Sequence, residues 1–353
     1  MAHRLIRTAI AAVAATGLVA AAGCSTTDSG TSASGTSSAA KSDTLKIFAT
    51  TSYIGDAVKN IAPDADLTVM VGPGGDPHTY QPSTADLEAM QNADAVIWSG
   101  LGMEANMIDQ LRGLGDKQIA VAEQLPESQL LPWVEEEEHD HDHGDAHEHG
   151  HEGEDAHEHE HEDAHGHHHE SQWDPHVWNS TDNWKLVVDQ IVKKLSAADS
   201  ANADTYKANG EKYNKQIDEA KAYVQAKIDT IPQDQRTLVS GHDAFRYFGK
   251  QFGLEVKATD FVTSDAERSA SELEDLATFI VEHHVPVIFQ DASANPQAVK
   301  SLEENVAKKG GKVKVVDKEL YSDSLGAEAP ADTYIGALKY NADTIAEAFS
   351  STR

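Results

Sequence analysis

Cysteine is almost absent from this chain. Its 353 residues include one, Cys24, which excludes an internal disulfide, Cys-rich zinc modules and CxxC redox chemistry. Cationic side chains are also scarce. Twenty-eight Lys and Arg stand against 59 Asp and Glu, for a formal net charge of −31. A nucleic-acid binder needs a cationic face, and a protein held on a membrane by charge needs a basic cluster, so this balance excludes both readings. The apolar run from Thr8 to Ala22 falls short of the roughly 20 residues that cross a bilayer. Histidine is the residue in excess, with 19 copies.

The N-terminus reads as a targeting segment. His3, Arg4 and Arg7 precede the apolar run, which closes on Ala21-Ala22-Gly23-Cys24. This resembles a bacterial lipobox, with Ala21 where Leu or Val is usual. The expectation is a lipoprotein signal peptide over 1–24, with Cys24 lipidated as the mature N-terminus. Residues 25–43 are mostly Ser, Thr, Gly and Ala. They predict a flexible tether with a reach of about 24 Å. A lipid, a tether and a folded body together predict a location outside the cytoplasm, anchored to the outer face of the bacterial cytoplasmic membrane.

A second biased segment spans 135–170. It holds 13 of the 19 histidines and 16 acidic residues, with no Lys or Arg. Its only apolar side chains are alanines, so a disordered insertion is expected. Its imidazoles are His139, His141, His143, His147, His149, His151, His157, His159, His161, His165, His167, His168 and His169. Interleaved with carboxylates, they predict an auxiliary, weak binding tract for Zn²⁺, Ni²⁺ or Cu²⁺.

The rest alternates short apolar runs with helical patterns. Strands are expected at Leu45–Thr50, Leu67–Val71, Ala95–Trp98, Ile119–Val121, Thr237–Ser240, Glu255–Thr259, Pro286–Phe289 and Val313–Val316. Helices are expected between them, among them Glu104–Leu111, Trp184–Leu195 and Ala203–Ile231. Repeated βα units predict an α/β fold. Two lobes are expected, each a mainly parallel sheet flanked by helices, joined by one long rigid helix with a metal site in the cleft. The expected boundaries are 44–200 for the N-terminal lobe with its insertion, 201–232 for the linking helix and 233–353 for the C-terminal lobe. Gly210 is the only Gly or Pro between Trp184 and Ile231.

Six histidines lie outside the tract. His3 belongs to the signal peptide, and His283 and His284 are expected on the surface at a helix C-terminus. The other three follow strands or stiffened loops. His78 lies in Gly72-Pro73-Gly74-Gly75-Asp76-Pro77-His78, and His176 in Trp173-Asp174-Pro175-His176. Asp-Pro-His therefore occurs twice, and proline stiffens each loop. His242 follows Thr237–Ser240, at the strand end where ligands bind in open α/β sheets. Three imidazoles leave one place in a closed zinc site. Asp291 and Asp323 are the candidates, and spacing does not separate them.

The sequence resembles the zinc- and manganese-binding family of ABC-transporter substrate-binding lipoproteins. The matching segments are GDPHTYQPS, ADAVIWSGLGME, WDPHVWNS, SGHDAFRYFGKQFGL, VIFQDASANPQ, YSDSLG and DTYIGALKYNADTI, in the family's order across 45–349. The acidic, histidine-rich loop lies where zinc-type members carry theirs. The resemblance implies two α/β lobes joined by a rigid helix, and His78, His176, His242 and Asp323 as ligands. It leaves Asp291 a supporting residue, and Arg268 stands where proline is common. It also implies Zn²⁺ over Mn²⁺, because manganese-type members tend to carry a carboxylate at the His242 position. The partners implied are an ABC permease and its ATPase, with the protein itself a monomer.

The competing readings are a zinc hydrolase with Asp243 as base, an adhesin or zinc-storage lipoprotein, and a manganese or iron importer component. The first needs an open coordination position and a base beside the bound water. With a fourth ligand supplied and no nucleophile in view, binding without catalysis is expected.

Overall fold

In a computed structural model of the chain, the residues described are 44–133, 172–260, 269–292 and 296–352. Cys24, Arg268 and the histidine tract lie outside them. The N-terminal half begins with β1 (Lys46–Ala49), α1 (Ser52–Ile61), β2 (Asp66–Val69), α2 (Thr84–Asn92) and β3 (Ala95–Trp98). It continues through α3 (Ile108–Arg112), β4 (Gln118–Ala120) and α4 (Thr181–Ala198). Then come α5 (Ala203–Ile228), β5 (Thr237–Ser240), α6 (Arg246–Phe252) and β6 (Glu255–Ala258). The chain closes with α7 (Ala270–Glu282), β7 (Val287–Asp291), α8 (Pro296–Lys308), β8 (Lys314–Leu320) and α9 (Tyr334–Ser350).

The first four strands form a parallel sheet in the order β2-β1-β3-β4. β5 pairs with β6 and β7 with β8, again in parallel, and β5 lies beside β7. Each half thus places its first strand centrally and reverses direction beside it. Ligands of open α/β sheets bind at such reversals, beyond the carboxyl ends of the strands.

Helix boundaries follow their capping chemistry. The Thr51 side chain accepts the Ile54 N–H and starts α1. Ser83 and Asp86 form a reciprocal capping box on α2, and Ser269 and Glu272 do so on α7. Each cap satisfies amide donors that the first helical turn leaves without partners. Gly253, with φ of +79°, ends α6 in the left-handed conformation.

α5 is uninterrupted, as its Ala- and Lys-rich sequence requires. Its buried residues are Tyr206, Gly210, Tyr213, Ile217, Ala220, Val224 and Ile228. Steps of three and four make one apolar stripe. This stripe packs on α4, α1 and α9, and one continuous core runs from Ile47 to Phe349. Gly210 serves a close approach: a Cβ there would lie 2.5 Å from Val192 Cγ2.

Two expected elements differ. The helix read at Glu104–Leu111 is a 3-10 turn at Ala105–Met107 followed by the short α3. The reason is Glu104, whose buried carboxylate accepts Thr50 Oγ1 at 2.6 Å, Ser99 N at 2.8 Å and Gly100 N at 3.1 Å. These bonds hold its end of the segment in a loop. The strand read at Val313–Val316 runs on to Leu320, because β7 also runs on to Asp291 and the two pair again there beyond an irregularity. Among the described residues, no helix is long and apolar enough to cross a membrane.

Candidate metal centre

Each of the four candidate side chains is delivered by a loop beyond a strand or by a proline-stiffened turn. His78 lies between β2 and α2. There the Asp76 Oδ1 accepts the His78 backbone N–H at 2.8 Å, and Pro77 fixes the intervening φ. The second Asp-Pro-His makes the same turn, with His176 N–H donating to Asp174 Oδ1 at 2.9 Å. His242 lies just past β5, its backbone N–H donating to Asp291 Oδ2 at 3.1 Å and its carbonyl accepting Ser240 Oγ at 2.8 Å. Asp323 lies three residues past β8.

Folding brings the four together. His78, His176, His242 and Asp323 are all buried, and each offers one donor atom within 4.8 Å of the others. His78 Nε2 faces His176 Nε2 at 3.1 Å, and His176 Nε2 faces His242 Nε2 at 3.2 Å. Asp323 Oδ1 lies 3.3 Å from His176 Nε2, and Oδ2 lies 3.2 Å from His242 Nε2. An ion bonded at 2.0–2.1 Å to a tetrahedron of donors sets them roughly 3.3–3.4 Å apart. The observed spacings are those of donors converging on one small cation.

The electrostatics split the three rings. Burial pushes the His78 imidazole down to about 4, with the other two histidines adding to the effect. Burial also opposes charge on His176, but the Asp174 and Asp323 carboxylates outweigh it and raise this ring to about 10. His242 is raised as well: burial opposes it, and Asp323 prevails. Burial alone would raise Asp323, yet the two cationic rings hold its carboxyl well below the usual range. Asp323, with Asp174 behind His176, thus favours the protonated form of both rings, and a cation would compete with those protons for the same nitrogens.

Asp291 is outside the four-donor cluster; it supports the His242 backbone instead, and burial raises its carboxyl to about 7. Asp243, weighed as a hydrolytic base, is also outside the cluster. His283 and His284 are exposed at the end of α7, with the His283 ring stacked on Phe279 at 4.1 Å.

Sequence reading missed Asp174. Its fully buried Oδ1 accepts the His176 ring Nδ1–H at 2.8 Å, which fixes the tautomer and turns Nε2 toward the cluster. The two Asp-Pro-His motifs are identical in sequence, so nothing local marked this difference. It also missed the seam around Asp323. Ser322 C=O accepts Trp178 Nε1–H at 2.8 Å and the Tyr53 hydroxyl at 3.2 Å, and Leu325 N–H donates to Ser52 Oγ at 2.9 Å.

A parallel-sheet fold whose carboxyl-end loops converge on one buried set of donors defines a protein that encloses an ion. The chain belongs to the metal-binding substrate-binding proteins of ABC importers: the family described as "ZnuA: Zinc-uptake complex component A periplasmic" matches residues 47–348. Its members bind solutes and are not enzymes. The chain is similar to the manganese-binding lipoprotein MntA of Bacillus subtilis, with 30% identity over 92% of this chain and 94% of that one. It is similar to the zinc-binding protein TroA of Treponema pallidum, with 31% identity over 86% and 88%. A solved structure of TroA from the same organism superposes with a TM-score of 0.74, covering 87% of this chain and 99% of that one. The iron-binding protein YfeA of Yersinia pestis shares 26% identity over 86% of each chain.

Proposed function

We propose that the protein captures Zn²⁺ outside the cytoplasm and delivers it to a membrane permease powered by an ATPase. The observation that carries this reading is the donor set, three buried imidazoles and one carboxylate. Imidazole nitrogen suits Zn²⁺, whereas Mn²⁺ favours oxygen-rich sites. Four converging donors also match the closed tetrahedral coordination that zinc adopts. In this reading His78, His176, His242 and Asp323 are the ligands, and 44–200 and 233–353 act as two lobes on either side of 201–232. Cys24 carries the lipid that holds the monomer at the outer face of the cytoplasmic membrane, and residues 135–170 bind further ions weakly.

A second reading is manganese transport, favoured by the similarity to MntA over 92% of this chain. The test is elemental analysis of protein purified without added metal, followed by competitive titration with Zn²⁺ and Mn²⁺. Stoichiometric Zn²⁺ that Mn²⁺ displaces only in large excess supports zinc capture. Mn²⁺ retained against equimolar Zn²⁺ overturns it.

A further inference from the structure

The three rings are not held equally. His176 is locked by Asp174 and flanked by the Trp178 ring at 5.4 Å. His242 is fully buried, with Asp323 Oδ2 at 3.2 Å. His78 is 6% exposed and sits on a loop whose residues 72–74 are open to solvent. Among the described residues its Nε2 is hydrogen-bonded to the His176 ring, with no carboxylate oxygen as near as those that contact the other two rings.

The segment carrying Asp323 is sewn in from both ends. Besides the bonds from Trp178, Tyr53 and Ser52, Tyr321 N–H donates to Asn341 Oδ1 at 3.0 Å, and Tyr321 C=O accepts Asn341 Nδ2 at 2.8 Å. Opening on that side would break several hydrogen bonds at once. The His78 loop is bonded to other segments through exposed residues. Gly74 N–H donates to Ser324 Oγ at 3.0 Å. The exposed Asn106 side chain adds two long contacts, to His78 C=O at 3.5 Å and Tyr80 C=O at 3.4 Å.

We propose that the ion enters and leaves past His78, and that Ser324, by tying Gly74 to the Asp323 segment, sets how long the ion stays. This rests on the capture reading above. Ser324 is not one of the four clustered donors, so it is a positioning residue. The Ser324–Gly74 bond steadies the closed loop with or without the ion. Removing it speeds entry and exit together, and the dissociation constant changes less than the rates do.

The test uses the full chain loaded with one equivalent of Zn²⁺ and mixed rapidly with excess chelator, the slow phase reporting the buried site. Ser324→Ala is expected to raise the dissociation rate about three- to tenfold, the loss of one hydrogen bond, with the equilibrium constant moving less than about threefold. Asn106→Ala, on an exposed side chain, is expected to raise it by a smaller factor and stands in if Ser324→Ala does not fold. Unchanged rates in both variants overturn the proposal. So does faster exchange in Ser52→Ala than in Ser324→Ala, which puts the exit at the Asp323 segment. If the wild type holds no tight equivalent of Zn²⁺, the capture reading fails instead.

Discussion

Replacing Asp174 with Asn isolates what a carboxylate behind a ligand ring contributes. Asp174 and His176 are both fully buried, and Oδ1 lies 2.8 Å from Nδ1. The Asn oxygen can still accept the Nδ1–H, so the tautomer survives, but the charge that makes the ring a stronger donor is lost. Hydrogen bonds to charged groups contribute roughly 1.5–3 kcal/mol against about 1 for neutral ones. The difference, about 0.5–2 kcal/mol, corresponds to a loss of Zn²⁺ affinity of about 2- to 30-fold, overlapping the 10- to 100-fold range seen when such outer partners are removed. The control is Asp76→Asn in the other Asp-Pro-His motif. That carboxylate takes the His78 backbone N–H and the Thr79 hydroxyl, each at 2.8 Å, and not the ring. Its replacement is expected to weaken binding less than about threefold. Both affinities are read by competition with a chromophoric chelator at fixed pH, with circular dichroism confirming the fold. Equal losses would refute the reasoning, since both variants keep an oxygen for the backbone turn bond and only Asp174→Asn removes a charge hydrogen-bonded directly to a ligand ring.

His242→Ala is expected to lower Zn²⁺ affinity at least about 100-fold with the fold retained, and His283→Ala to leave it unchanged; equal effects would count against the ligand assignment. His242→Glu is expected to shift the Zn²⁺/Mn²⁺ preference toward Mn²⁺ in competitive titration. Binding is expected to release about one to two protons at pH 7. His176, raised to about 10, carries a proton there and His78, at about 4, does not, while His242 is shifted toward the protonated form. Affinity then falls as pH drops, because protons compete for the same nitrogens; titration calorimetry in buffers of differing ionisation heat checks the count, and zero released protons would contradict it. Deleting 135–170 is expected to remove the weak, pH-sensitive equivalents and leave one tight site, since a segment whose only apolar side chains are alanines has no core to preform its ligands. Calorimetric titration at two pH values reads both classes, and loss of the tight equivalent would show a different role for the tract.

The alternation of apolar runs and helical patterns was enough to order the strands and helices along the chain, because each βα unit is encoded locally by period and capping residues. Ser83 and Gly253 are such residues, one opening a helix and the other closing one. The three cluster histidines were legible for a related reason. Loop position after a strand, or after Asp-Pro, is a local property, and it separated His78, His176 and His242 from His283 and His284. Glu104 shows the limit: its helical spacing was real, but a buried carboxylate bound to Thr50, 54 residues away in sequence, overrode it.

Residue type and spacing thus determined a metal-binding α/β protein with three imidazole donors. What they left open was decided by contacts between distant segments. Asp291 and Asp323 both follow runs of strand, and only the fold directs Asp323 to the rings and Asp291 to the His242 backbone. The two Asp-Pro-His motifs make the same turn, and packing turns the His176 ring onto its aspartate while the His78 ring has none. Burial separates the imidazoles further, lowering His78 while the flanking carboxylates raise His176 and His242. Local sequence encodes turns, caps and periodicity within a few residues. The strength of each donor depends on charges within 4 Å of it: Asp174 is two residues from His176, but Asp323 lies 81 residues from His242 and 147 from His176, and only tertiary structure brings it there.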